Sequence, residues 1–293
     1  MKKSEFDEII KQNLISVYGD IFGYVVPDNP KVYSFYYDKK QFNAFVADMR
    51  EHYKSAYIAY GEGKGGELSE KKGRYGTLPP KMASVASSSR FCYLALRNNA
   101  KAFCASGDVQ FVHECRISGI DIGTAPQLDA YIPEKNIYIE VKCHEIFDSH
   151  KVLMKEKYWD HIYGVKNDFG FPVLDKTKSD NFEIPLSVFN IENKSSRFDI
   201  KQFLCHLMGI ASQSQNKAML VYLFFKPKTD HVNQAEGIEK VFAELSEEIK
   251  NIFDSTPIRR FCEKNDITLM AVYEEAYTIE PLTEKNKHLI YQR

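Results

Sequence analysis

The stretch that decides the reading of this chain is Gln127-Leu-Asp-Ala-Tyr-Ile-Pro-Glu-Lys-Asn-Ile-Tyr-Ile-Glu-Val-Lys-Cys143. Turn residues Pro133-Glu-Lys-Asn136 separate two short runs, 128–132 and 137–142, which spells a β-hairpin. Side chains alternate along a strand, so Ile137, Ile139 and Val141 share one face and Tyr138, Glu140 and Lys142 the other. With the apolar set on a core, Glu140 and Lys142 are presented together, and Asp129 of the first run comes close to Glu140. Two carboxylates and one ammonium then meet at one spot on a sheet.

The chemistry open to such a cluster is narrow. Two carboxylates, helped by a backbone carbonyl such as that of Val141, form a hard oxygen site suited to Mg²⁺ or Mn²⁺. A cation there polarises a phosphoryl oxygen and lowers the pKa of a bound water. A lysine beside it orients that water or offsets charge on the phosphate, and a nearby cation favours its neutral form. The same letters also describe a plain hairpin whose solvent face carries Glu140 and Lys142 as a weak pair. Asp129, placed correctly on the partner run, favours the chemical reading.

Working outward, residues 110–118 alternate as a strand, with Phe111, His113, Cys115 and Ile117 on one face and Val112, Glu114 and Arg116 on the other. Glu114 is either a further metal-site carboxylate or part of a surface ladder, and His113 reads as a half-buried histidine. Upstream, Pro79-Pro80 opens a helix over 81–99 with Met82, Val85, Cys92 and Leu96 as its apolar stripe. Its run Ser87-Ser88-Ser89-Arg90 suits close approach to a phosphate backbone or tight packing on a sheet. From Lys64 to Arg90 six cations (Lys64, Lys71, Lys72, Arg74, Lys81, Arg90) face two anions, Glu67 and Glu70. Phosphate contacts and a solvated basic loop both account for that excess. The glycines of 61–66 are followed by no Gly-Lys-Ser/Thr, which argues against a nucleotide P-loop. Downstream, 144–184 reads as a polar insertion with one helix near 149–161. Residues 200–213 form an amphipathic helix, and 218–225 a nearly continuous apolar strand suited to a central position.

Asp129 followed by Glu140-Val141-Lys142 resembles the signature of the PD-(D/E)xK nuclease superfamily, the restriction-endonuclease-like fold. Gly65-Gly-Glu-Leu68 followed by Pro79-Pro-Lys-Met-Ala-Ser-Val-Ala-Ser-Ser-Ser-Arg90 looks like a bacterial restriction-type branch of it. Leu128 stands where the motif's name carries proline. The resemblance implies an α/β (α+β) fold with an αβββαβ core, a central mixed sheet flanked by helices. It implies that Asp129 and Glu140 hold the metal, that Lys142 is the catalytic lysine and that Glu67 is an additional acid near the metal, unless Glu67 is a solvated loop residue. Gln202 resembles the residue that the helix after the E-x-K strand supplies beside the site, with a surface glutamine as the other reading. The order helix, three strands, helix, strand, read from periodicity alone, is the order this family would have. DNA is the implied substrate and Mg²⁺ or Mn²⁺ the implied cofactor. A binding module on the same fold, or a nuclease for RNA or branched DNA, are the competing readings.

The whole chain is compatible with this. Its 293 residues, 44% hydrophobic and 27% charged, are ordinary for a globular protein with a real core. We expect a helical and aromatic extension over 1–60, the nuclease core over 61–226 with 144–199 inserted, and an α/β extension over 227–293, in one structural domain. Helices are expected at 4–18, 40–57, near 235–254 and after Pro257, with a last strand at 267–273. The tyrosines and phenylalanines of 31–60 read as packing residues rather than base-stacking platforms. A net charge of -1 gives no general nucleic-acid signal. From so charged a start we expect no secretory signal, and the longest apolar run, 218–225, is too short to span a bilayer. Six scattered cysteines without a C-x-x-C pair fit a reducing cytoplasm, and Cys143-His144 lacks the partners for zinc. Cutting both strands of a duplex would suggest a homodimer.

Overall fold

The computed structural model describes residues 1–18, 22–25, 34–37, 39–62, 66–73, 76–97, 103–120, 125–164, 166–171, 181–275 and 287–293; for 14–18, 22–25, 34–36, 62, 73 and 76 it describes the backbone alone. The chain begins with α1 (Lys3–Tyr18), an antiparallel pair β1 (Phe22–Val25) and β2 (Ser34–Tyr37), then α2 (Lys39–His52) and α3 (Lys54–Glu62). A small hairpin, β3 (Lys71–Gly73) and β4 (Gly76–Leu78), precedes α4 (Ser88–Leu96), β5 (Gln110–Glu114), β6 (Gln127–Ile132) and β7 (Ile137–Lys142). The segment after β7 carries β8 (Leu153–Lys155), the single turn α5 (Trp159–Ile162) and β9 (Asn181–Glu183). Then come α6 (Ile200–Gln213), β10 (Ala218–Phe225), α7 (Val232–Asp254), α8 (Thr256–Lys264), β11 (Ile267–Glu274) and β12 (Lys287–Gln292).

Six strands form one mixed sheet in the order β12-β11-β10-β7-β6-β5. β10 runs parallel to both β7 and β11, while the β5–β6, β6–β7 and β11–β12 pairs are antiparallel. The protein is thus a mixed α/β fold, its central sheet flanked by helices, and α4-β5-β6-β7-α6-β10 follows the expected order. β10 alternates as a fully buried strand must: Val221, Leu223 and Phe225 join the core on the α4 side, and Leu220, Tyr222 and Phe224 the core on the α6 side. Ile137, Ile139 and Val141 of β7 face α4 as read from the sequence. The opposite face, which carries Tyr138, Glu140 and Lys142, lies under α6 rather than in solvent.

The two ends of the chain share this core. Phe6 and Ile10 of α1 enter the α4-side cluster and Ile9 the α6-side one. Aromatics of α2 and α3 pack on it too: the rings of Phe45 and Tyr53 each lie 5.5 Å from Tyr93, and that of Tyr60 lies 5.5 Å from Phe111. At the other end β11 and β12 extend the main sheet, and α7 and α8 cover its α6 side. No helix among the described residues is long and apolar enough to cross a membrane.

Four expectations are corrected. The helix read over 81–99 begins at Ser88; a 3-10 turn (Lys81–Ala83) precedes it. Ser87 is its N-cap, accepting the Arg90 N–H, a bond worth about 1 kcal/mol. The helix near 149–161 is instead a strand and short turns. Val152 and Met154 are buried while Leu153 is 46% exposed, a period of two rather than 3.6. The strand over 110–118 stops at Glu114 and changes phase within itself. Phe111 packs against Tyr60 and Tyr93 on the α4 side, whereas His113 stacks on Tyr131 at 4.4 Å and Cys115 and Ile117 lie on the α6 side. The switch falls at Val112, whose φ is 57°. Finally, the helix over 40–57 is two helices with a break at Tyr53, and β12 had no counterpart in the sequence reading.

Candidate active site

The site forms where β6 and β7 part company. Their ladder pairs Ile132 with Ile137, Tyr131 with Tyr138 and Ala130 with Ile139. One step further, the Asp129 carboxylate takes over, with Oδ2 accepting the Val141 N–H at 2.8 Å. On the other side of β6, Val112 faces Asp129 in the β5 register, between the pairs Phe111–Ala130 and His113–Leu128. A β-branched residue with positive φ is a genuine outlier, costing about 1–3 kcal/mol. Backbone strain and a broken ladder therefore coincide at Asp129.

On β7, Glu140 and Lys142 point toward the N-terminal turn of α6. Lys142 Nζ donates to Glu140 Oε1 at 2.7 Å and to Gln202 Oε1 at 2.7 Å, and Gln202 Nε2 donates to Glu140 Oε1 at 2.9 Å. The three side chains close a ring that fixes the glutamine amide: flipped, its NH₂ would face an ammonium. Asp199 sets this geometry by capping α6, its carboxylate accepting the Gln202 N–H at 3.0 Å. The Glu140 and Lys142 side chains are only 5% and 14% exposed.

Charge is crowded here. Burial and then the Glu140 charge push the Asp129 carboxyl well above the usual carboxylate range, against smaller opposing effects of Lys142 and the Val141 N–H. Burial alone would lower the Lys142 ammonium, but Glu140 and Glu145 outweigh it and hold the group above the ordinary lysine value. Without a cation, then, Lys142 is firmly charged, whereas a neutral form was the expectation beside a metal. Behind Glu140, burial depresses the imidazole of His206 below its usual value.

Asp129, Glu140, Lys142 and Gln202 line one cleft of about 290 Å³, together with Glu67, Lys81 and Ser88. Glu67 is held at the start of α4, where Lys81 Nζ donates to it at 2.8 Å and Ser89 Oγ at 3.4 Å. Other candidates lie elsewhere. Glu114 does not line the cleft; it faces Arg116 Nη2 at 3.6 Å at the end of β5. Arg90, expected to bind nucleic acid, is buried: it donates to the Met82 carbonyl at 3.2 Å, and its Cζ sits 3.4 Å from the Tyr37 ring centroid. Lys71 and Lys72 are exposed on β3, outside the cleft. Lys64 and Arg74 lie outside the described residues.

The sequence reading missed Glu145, Asp199 and His206 as neighbours of the site. Asp199 had a usable signal, a capping residue directly before an amphipathic helix. His206 lies one turn beyond Gln202 on the same helix.

Among the described residues no group of three or more His, Cys, Asp and Glu side chains is arranged to hold a metal ion. The carboxylates that line the cleft are Asp129, Glu140 and, held by Lys81, Glu67; the Val141 carbonyl lies between Glu140 and Lys142 on β7. That set is too small for an all-protein cage and offers no sulfur for zinc. It fits Mg²⁺ or Mn²⁺, which keep several waters and take one or two carboxylates with substrate phosphate. Burial and the Glu140 charge together raise Asp129, and a cation would offset both. No family model matches the chain, and neither does any curated protein or solved structure.

Proposed function

We propose that this chain is a metal-dependent deoxyribonuclease, a restriction-type endonuclease that hydrolyses DNA phosphodiester bonds. One observation carries the reading: Asp129, Glu140 and Lys142 of one hairpin line a single cleft with Gln202, 60 residues beyond Lys142. The order of elements around it agrees with the resemblance to the PD-(D/E)xK nucleases. Asp129, Glu140 and the Val141 carbonyl would hold Mg²⁺ or Mn²⁺, which when bound supplies a Lewis acid and a water of lowered pKa.

The chain's own residues do the rest. Lys142, held protonated, presents its charge to a phosphate entering the cleft and favours the extra negative charge of the pentavalent state. Gln202 keeps that ammonium aimed by accepting from it and bracing Glu140. Lys81 and Ser88 at the mouth, with exposed Lys71 and Lys72 beside it, suit contacts to the DNA backbone. A homodimer would let two such clefts cut both strands, and a cytoplasmic protein fits the unpaired cysteines.

The test is plasmid cleavage with Mg²⁺, with Mn²⁺ and with EDTA, with duplex, hairpin and RNA substrates in parallel. Discrete metal-dependent fragments that vanish in Lys142→Ala and Asp129→Ala support the reading. A smear keeps the chemistry without sequence specificity, and preference for RNA or hairpins moves the substrate. No cutting together with no metal binding would leave a binding module on this fold.

A further inference from the structure

His206 has no part in the chemistry above, yet it touches three strands at once. It lies on α6, fully buried, and does not line the cleft, so it cannot meet a substrate. Its Nε2 is 3.1 Å from the Gln127 carbonyl oxygen and its Nδ1 3.1 Å from the Tyr222 hydroxyl. A carbonyl only accepts, so Nε2 carries the hydrogen and Nδ1 receives the Tyr222 O–H. The same Nε2 stands 3.8 Å from Glu140 Oε2, in contact but beyond hydrogen bonding. Tyr222 is itself the β10 partner of Glu140 in the sheet.

The tie to Gln127 falls where the sheet needs one. The β6–β7 ladder ends at the Ala130–Ile139 pair, so residues 127–129 receive no ladder support from β7. On the β5 side Gln127 and Leu128 keep their partners Glu114 and His113, and strained Val112 interrupts the ladder only at the level of Asp129. His206 supplies a tie on the side where β7 gives none: it holds the β6 backbone two residues before Asp129 against the strand pair that carries Glu140.

We propose that His206 is a positioning residue that fixes the separation of the Asp129 and Glu140 carboxylates and thereby sets the affinity of the site for a divalent cation. This rests on the metal reading of the cleft. Outer-shell partners of metal ligands commonly contribute 10–100-fold in affinity. His206 does so through the backbone of one ligand strand and the side-chain packing of the other.

The experiment titrates the full chain with Mn²⁺ by calorimetry for the wild type, His206→Phe and His206→Gln, with melting curves and amide hydrogen exchange alongside. Phenylalanine fills the space without donating; glutamine returns an Nε2–H of similar reach. The expected result is Mn²⁺ binding weakened roughly 10–100-fold in the Phe variant and restored to within roughly threefold by Gln. Exchange at residues 127–129 should speed up in Phe alone, while 137–139 stay protected. Should the Phe variant not fold, Tyr222→Phe removes only the hydroxyl on Nδ1 and is expected to weaken Mn²⁺ binding by a smaller factor. Equal binding by all variants overturns the role of His206, and so does a Gln variant as weak as Phe. A wild type that binds no Mn²⁺ is a different result: it defeats the metal reading of the cleft, and this inference with it.

Discussion

Two depressions on this protein are rich in carboxylates, and the larger one is chemically the quieter. It has a volume of about 780 Å³ and lies between the loop around residues 190–197 and α7. Two of its acids, Glu244 and Glu248, serve local structure. Glu248 Oε2 accepts from Ser196 Oγ and the Arg197 N–H, each at 2.8 Å, and Glu244 Oε2 pairs with Arg197 Nη2 at 2.7 Å. The smaller cleft, about 290 Å³, does the opposite. Burial and then the Glu140 charge push the Asp129 carboxyl up, although one backbone N–H and one ammonium stand beside the pair. Volume alone would have pointed to the larger depression. Carboxylates satisfied by neighbouring backbone donors read as struts; carboxylates that repel each other in a cleft read as waiting for a cation.

The sharpest way to break that contrast is to remove the charges on each side and assay cutting. Lys142→Ala or Asp129→Ala should reduce metal-dependent cleavage by at least about 100–1,000-fold, the scale of losing one preorganised electrostatic partner. Glu248→Ala should leave the rate per folded molecule within roughly twofold. Equal losses on both sides would show that the contrast carries no functional meaning.

Stability should rank the other way. In Glu248→Ala, the buried Ser196 and the Arg197 N–H lose their common acceptor. The expected cost is about 2 kcal/mol, a drop in Tm of roughly 4–8 °C. Glu248→Gln keeps an acceptor and should recover most of it. A Tm unchanged in the alanine variant would mean that these bonds are solvent-replaceable and that the larger depression is looser than its geometry says.

The cleft should behave as a stored repulsion. Asp129 has a folded-state pKa raised above the unfolded carboxyl value of about 3.9. Its contribution to stability is therefore fully present below that unfolded value and is lost as pH rises through the folded one. Asp129→Asn removes the titration, so in EDTA at neutral pH this variant should melt above the wild type. Mg²⁺ should then raise the Tm of the wild type and leave the variant nearly unmoved, because only the former binds it. An Asn variant that melts lower in EDTA would show that the Val141 hydrogen bond outweighs the repulsion.

Much of this arrangement was legible in the letters, for identifiable reasons. The hairpin, β10 and α6 carry strong periodicities, and alternation along β7 necessarily put Glu140 and Lys142 together. What escaped was decided by single residues against the local pattern. Nothing in the letters marks Val112 for a positive φ, so the face switch within β5 was invisible. Arg90 looked like a phosphate ligand because its neighbours are serines, yet one of them, Ser87, caps a helix that buries it against Tyr37, more than fifty residues away. The stretch near 149–161 was judged by its polarity, which hid the two-residue period of Val152 to Met154. The i, i+4 spacing from Gln202 marks the side of α6 on which His206 lies, but not the Gln127 and Tyr222 contacts that it makes there.

Glu145 offers the finest test, because it stands at the border between the two kinds of acid. Its Oε2 accepts the Cys143 N–H at 2.7 Å, as a strut would, while its charge helps to raise both Lys142 and Asp129. Glu145→Gln keeps an acceptor for Cys143 and deletes only the charge. With less negative potential nearby, Asp129 should lose its proton at lower pH, and the acid limb of Mn²⁺ binding and of cleavage should move down with it. The effect should be small, since Glu145 ranks behind burial and Glu140 in holding Asp129 up. At pH 8, on the alkaline side of that limb, the cutting rate should stay within roughly threefold of wild type. A limb that moves upward would mean that Glu145 helps to bind the cation itself, and would carry the acids of the cleft one turn beyond β7.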